Sequence, residues 1–124
     1  MRIMVVDDDD IIIEAMRNIL EPEGFEVIAA RSGEECLRLL ESGITPDYIF
    51  IDIQMPGIDG WETLRRIKSR RKLREIPVAM LTAQPLRRET LEKEDIGELV
   101  DYVVKPFTRR DIEETLKQAL VLPL

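Results

Sequence analysis

The sequence is poor in the features that mark secreted, membrane and nucleic-acid-binding chains. It holds one cysteine, Cys36, so no internal disulfide can form. Cys36 falls in a helical pattern, where it reads as a small buried apolar group. No apolar run approaches the roughly 20 residues of a membrane span. Met1-Arg2-Ile3-Met4 runs directly into a strand-like segment, so no signal peptide is expected and the cytoplasm is the expected compartment. Repeats, low-complexity tracts and linkers are missing. A length of 124 residues suits one domain, 1–124, and is too short for two. Basic residues are the minority: 18 Lys and Arg against 25 Asp and Glu leave a net charge of −7. DNA affinity comes largely from phosphate neutralisation, so direct nucleic-acid binding is not expected. The basic groups Arg65-Arg66, Lys68, Arg70-Arg71-Lys72 and Arg87-Arg88 read as a solvated helix face.

What is present is a core and an order. Apolar residues make up 44% of the chain, enough for a packed interior. Short apolar runs alternate with amphipathic stretches. Strands are expected over Arg2–Val6, Phe25–Ala30, Asp47–Ile51, Pro77–Leu81 and Val100–Val104. The first helix carries Ile12, Met16, Ile19 and Leu20, and Glu21-Pro22-Glu23-Gly24 stops it. Ser32 caps the second helix, with Glu35 completing a capping box; Cys36, Leu37, Leu39 and Leu40 give its apolar side. A loop from Gln54 to Gly60 leads to a helix with Trp61, Leu64 and Ile67. A charged helix follows over Leu86–Asp95. Thr108 caps the last, whose apolar positions are Ile112, Leu116, Ala119 and Leu120. Five strand-then-helix units imply a parallel sheet covered on both faces.

In such a sheet ligands bind beyond the carboxyl ends of the strands, and the unusual polar residues gather there. Strand one ends in Asp7-Asp8-Asp9-Asp10, strand three in Asp52, strand four in Thr82 and strand five in Lys105. Two carboxylates about 5 Å apart repel by roughly 3 kcal/mol at an effective dielectric near 20. A divalent cation relieves that repulsion, and an oxygen-only set with room for water suits Mg²⁺. Lys105 adds a further positive charge. Taken singly, Asp9 or Asp10 is a helix N-cap, Thr82 an ordinary strand-end residue and Lys105 a surface amine. Asp52, directly after Tyr48-Ile49-Phe50-Ile51, has no such simple account.

At these residues the chain resembles the receiver domain of bacterial and archaeal response regulators. The resemblance runs through Val5-Val6-Asp7-Asp8-Asp9, Ile51-Asp52-Ile53-Gln54-Met55-Pro56-Gly57-Ile58-Asp59-Gly60, Met80-Leu81-Thr82-Ala83 and Asp101-Tyr102-Val103-Val104-Lys105-Pro106-Phe107. It implies a flavodoxin-like, doubly wound α/β fold: a five-stranded parallel sheet of order 2-1-3-4-5 with five helices on two faces. It implies that Asp52 accepts a phosphoryl group from a sensor histidine kinase or histidine phosphotransfer protein. Asp7 and Asp8 would hold Mg²⁺ together with Asp52 and the backbone carbonyl of Gln54. Thr82 and Lys105 would contact the phosphoryl oxygens, and Tyr102 would turn inward when Thr82 moves. The chain is then a switch that assists only its own phosphotransfer and slow autodephosphorylation. Its downstream target would sit on the face of the fourth helix, fifth strand and fifth helix. The resemblance also implies a cis bond between Lys105 and Pro106. Ile11 and Ile13, beside Ile12 on the helix wheel and close to Asp7 and Asp8, are candidate docking residues for the incoming partner, and at least one should be poorly buried.

Two positions depart from the family. Thr82 to Lys105 spans 23 positions, one more than the commonest spacing, with the extra residue assigned to Ile96-Gly97-Glu98-Leu99. Glu114 stands where regulators that dimerise through the fourth helix, fifth strand and fifth helix often carry arginine, which speaks against that dimer. Asp7-Asp8-Asp9 also offers the Asp-x-Asp of an aspartyl-nucleophile phosphohydrolase. Ile11, however, stands where that family prefers Thr, and no cap insertion is present. A receiver that binds without phosphorylation fits less well with all five site residues in place. The chain ends at Leu122-Pro123-Leu124, directly after the last helix, so a receiver cut from a longer regulator with a separate output domain stays open.

Overall fold

A computed structural model describes residues 1–85 and 96–120. The helix expected over Leu86–Asp95 and the terminal 121–124 lie outside the described residues. The elements are β1 (Arg2–Val6), α1 (Asp10–Leu20), β2 (Glu26–Ala30), α2 (Gly33–Glu41), β3 (Tyr48–Asp52), α3 (Gly60–Lys68), β4 (Val78–Thr82), β5 (Asp101–Val104) and α4 (Arg109–Ala119). Thus α4 is the fifth helix of the sequence reading, and the described residues hold four α-helices. Short 3-10 turns occupy Glu21–Glu23 and Ile96–Glu98.

All strands pair in parallel in the order β2-β1-β3-β4-β5. Side chains alternate across the pleat, and the alternation divides the core in two. Met4, Val6, Ile49, Ile51, Val78 and Met80 face α2 and α3, which contribute Cys36, Leu40, Trp61, Leu64 and Ile67. Ile3, Val5, Tyr48, Phe50, Ala79, Leu81 and Val103 face α1 and α4, through Ile13, Met16, Leu20, Ile112 and Leu116. Each such buried side chain is worth about 1.5–3 kcal/mol over exposure, so β1, β3 and β4 need no polar face.

Caps start the helices where the sequence places them. The Asp9 side chain accepts the Ile11 N–H, and Ser32 accepts the Glu35 N–H. The box expected at Ser32 forms only by half, with no return bond from the Glu35 side chain among the described residues, and the reciprocal capping box is found instead at α4, between Thr108 and Asp111. Strand edges shift by a residue: β3 and β4 take in Asp52 and Thr82, because Asp52 still pairs with Leu81 and Thr82 with Val104. The buried stripe of α1 also shifts. It is Ile13, Met16 and Leu20, while Ile12 and Ile19 are half-buried at its margins. Spacings of three and four centre the stripe on Ile13 once the helix begins at Asp10.

Candidate functional site

The register puts the chemistry at one level. Val6 lies opposite Ile51, so the next residues, Asp7 and Asp52, stand side by side at the carboxyl end of the sheet. Thr82 lies opposite Val104, and Lys105 follows it with its N–H bonded to the Thr82 carbonyl at 2.7 Å. The Lys105–Pro106 bond is cis. The loop after β3 must turn sharply to leave room at this edge. Gly57 takes φ +81°, which favours glycine. Gly60 opens α3 so close to the end of β3 that an added Cβ would lie 2.5 Å from the Asp52 carbonyl oxygen.

Asp7 is fully buried. Its Oδ1 accepts the Asp9 N–H at 2.9 Å, and its Oδ2 accepts from Lys105 Nζ at 2.9 Å. The same Nζ stands 3.4 Å from Asp52 Oδ1, so one ammonium serves two carboxylates. Asp52 is 7% exposed. Burial raises its carboxyl above the ordinary carboxylate range, and the Asp7 charge adds to that rise. Lys105 and the Gln54 N–H oppose it but do not cancel it. For Lys105 burial works against the charge, yet Asp7 and Asp52 outweigh it and the amine is held above its ordinary value.

Asp7, Asp8 and Asp52 can each bring a carboxylate oxygen within 4.8 Å of the others. Three hard oxygen donors around one point, one of them exposed, fit a small divalent cation that keeps several waters.

The structure therefore brings Asp7, Asp8, Asp52 and Lys105 together. Thr82 is at the same edge, but its hydroxyl turns to its own loop: Oγ1 donates to the Gln84 carbonyl at 2.6 Å and accepts the Gln84 N–H. Tyr102 is 42% exposed. Of the candidate docking residues, Ile11 is 77% exposed and Ile13 only 3%. Ile13 is corrected to a core residue, since α1 turns it onto the sheet beside Val5 and Phe50. Sequence reasoning missed Gly60, because nothing local announces a close backbone approach. It also missed Arg31, which pairs with Asp10 at 2.8 Å beside the acidic cluster; its place directly after β2 was the available signal.

Comparison with known proteins gives a consistent picture. The family model described as response regulator receiver domain matches residues 3–117. The alkaline phosphatase synthesis transcriptional regulatory protein PhoP of Bacillus subtilis is 33% identical over 119 residues, covering 96% of this chain and 48% of that protein. The chemotaxis protein CheY of Pseudomonas aeruginosa is 34% identical over 119 residues, covering 95% of this chain and 94% of that one. The crystal structure of response regulator protein TrrA from Thermotoga maritima, in complex with Mg²⁺-BeF, superposes with a TM-score of 0.82 at 36% identity, covering 96% and 98% of the two chains. Against regulators such as PhoP and the Escherichia coli transcriptional regulatory protein CpxR, the chain spans about half of their length.

Proposed function

The chain belongs to the response regulator receiver domain family, and from that membership we propose that residues 1–124 form one phospho-acceptor domain whose acceptor is Asp52. An Asp52 carboxylate oxygen attacks the phosphorus of a phosphohistidine on a sensor kinase or phosphotransfer protein. The O–P bond forms, the P–N bond breaks and its electron pair returns to the imidazole. The partner approaches across the rim that exposes Ile11, where an apolar side chain can anchor it. Asp7, Asp8, Asp52 and the Gln54 carbonyl would hold Mg²⁺, and the similar TrrA protein is itself in complex with Mg²⁺-BeF. There the ion would offset the negative charge of the carboxylates and of the incoming phosphoryl group. Lys105, already shared between Asp7 and Asp52, pairs with the added negative charge. The protein's own chemistry is limited to this transfer and slow autodephosphorylation.

Switching follows from Thr82. Its hydroxyl gives up the Gln84 carbonyl for a phosphoryl oxygen, and Tyr102 moves from its exposed position into the space released. A shift from 1:99 to 99:1 needs about 5.5 kcal/mol of differential binding. Hydrogen bonds to charged groups supply roughly 1.5–3 kcal/mol each, so Thr82 and Lys105 together are of the required size. The downstream partner then docks on the face carrying β5 and α4.

The observation that carries this reading is Lys105 Nζ between the Asp7 and Asp52 carboxylates, 2.9 and 3.4 Å away. Intact-mass analysis with acetyl phosphate tests it. One phosphoryl group should appear on the wild type only with Mg²⁺ present, and none on Asp52→Asn. Equal labelling of the two proteins refutes the assignment. A second reading, favoured by the half-length match to longer regulators, makes the chain the receiver part of a regulator with an output domain. An immunoblot of source cells that shows a band well above 14.4 kDa supports it, and a single band at that mass rejects it.

A further inference from the structure

At the edge of the sheet β5 pairs only with β4 among the described residues. Between β5 and α4 runs a groove of about 290 Å³, lined in part by Asp101, Tyr102, Asp111, Glu114, Thr115 and Gln118. Tyr102, which lines it, is 42% exposed, and Val100, just before β5, is 41% exposed. An edge strand with unpaired backbone groups and exposed apolar residues is a ready docking surface. The charges decide what fits it. The lining holds three acids, and its described residues include no lysine or arginine. Asp101 is held in place by the Thr115 hydroxyl at 2.8 Å and by the Tyr102 N–H. Asp111 is fixed by the Thr108 N–H. Glu114 is exposed and has no hydrogen bond or ion pair among the described residues.

We propose that this groove takes a cationic, partly apolar peptide segment of a different protein, and that a second copy of this chain is excluded from it. A two-fold contact sets each patch against itself, so the acidic groove of one copy would face the acidic groove of the other. Like charges in register are an effective bar to a wrong partner. A lysine- or arginine-bearing segment instead neutralises Glu114 and the outer side of Asp101, while an aliphatic residue covers Tyr102 and Val100. This inference rests on the reading of the β5–α4 face as the output surface.

The test uses the full chain labelled with ¹⁵N, saturated with Mg²⁺ so that the phosphorylation site is not an alternative cation trap. The probe is a synthetic peptide of alternating lysine and leucine; its counterpart carries glutamate for lysine. With beryllofluoride added, the lysine peptide should shift the amides of 101–104 and 111–118, weaken as salt is raised, and lose about fivefold in affinity against Glu114→Lys. The glutamate peptide should leave those amides unmoved, and sedimentation should show a monomer. Equal binding of both peptides, binding of neither, or a beryllofluoride-induced dimer that Glu114→Lys alters overturns the proposal. If beryllofluoride itself moves no amide of β5, the output-surface reading fails and takes the proposal with it. If it does move them and only the lysine preference is missing, the output-surface reading stands and the proposal alone fails.

Discussion

Replacing Asp52 by asparagine should make the metal-free protein more stable at neutral pH, although Asp52 is the proposed phospho-acceptor. Asn keeps the shape and an oxygen that can accept the Gln54 N–H, and removes the charge. At an effective dielectric near 20, the Asp7 carboxylate, with an oxygen within 4.8 Å, repels the Asp52 charge by about 3.5 kcal/mol. Lys105 at 3.4 Å attracts it by about 5 kcal/mol, but Lys105 keeps its closer partner Asp7 in the variant. The penalty for burying a carboxylate, several kcal/mol, then tips the balance, in line with the raised Asp52 carboxyl. A net gain of roughly 1–2 kcal/mol is expected, or about 4–8 °C in Tm for a domain of this size.

The pH dependence gives the argument its sign. With a folded value above the unfolded one, near 3.9, Asp52 favours the fold fully only below the unfolded value. That contribution is lost as pH rises through the raised folded value. The two proteins should therefore melt close together near pH 4, and the variant should pull ahead towards pH 7.5. Scanning calorimetry in EDTA across this range checks it. A variant that melts lower at pH 7.5, or a gap that does not widen with pH, refutes the reasoning. Mg²⁺ at a hundred times its Kd should then stabilise the wild type by about 2.7 kcal/mol and the variant much less. Equal stabilisation would place the ion elsewhere.

Tyr48 buries its hydroxyl without a hydrogen-bond partner among the described residues, so Tyr48→Phe should be neutral or stabilising by up to about 1 kcal/mol in urea denaturation; a loss of that size would reveal a partner. Gly60→Ala places a Cβ 2.5 Å from the Asp52 carbonyl oxygen and 2.9 Å from Ile53 Cα. It should cost about 1–3 kcal/mol and slow labelling by acetyl phosphate, and wild-type values for both would mean the backbone yields freely. Ile13→Ser should lose about 2–5 kcal/mol, whereas Ile11→Ser should stay within about 0.5 kcal/mol. The Ile11 variant should slow transfer from a kinase while leaving acetyl phosphate labelling unchanged; equal loss with both donors removes Ile11 from docking.

The fold was legible because burial on both sheet faces leaves continuous apolar strands, and Tyr48-Ile49-Phe50-Ile51 admits little else. The capping residues Asp9, Ser32 and Thr108 were legible for a local reason: each needs only its own short side chain and the next turn of backbone. Strand ends were read one residue short at Asp52 and Thr82, because a polar residue looks like the end of a strand even when the ladder continues through it. Ile13 was misread because three consecutive isoleucines, Ile11-Ile12-Ile13, leave the phase of the helix undetermined until its packing against the sheet is known. The site was legible as a set of residues and not as a set of distances. Sequence places Lys105 near both acids, but only the register and the turn after β5 set its Nζ 2.9 Å from Asp7 and 3.4 Å from Asp52. That difference matters chemically. The amine stands closer to the fully buried Asp7 carboxylate than to Asp52, the proposed acceptor. Likewise the Thr82 hydroxyl is closed onto Gln84 and is not yet free for the phosphoryl contact proposed for it. The Lys105 amine, already set between two carboxylates, and the Thr82 hydroxyl, turned to its own loop, are thus the two groups that the proposed transfer would redirect.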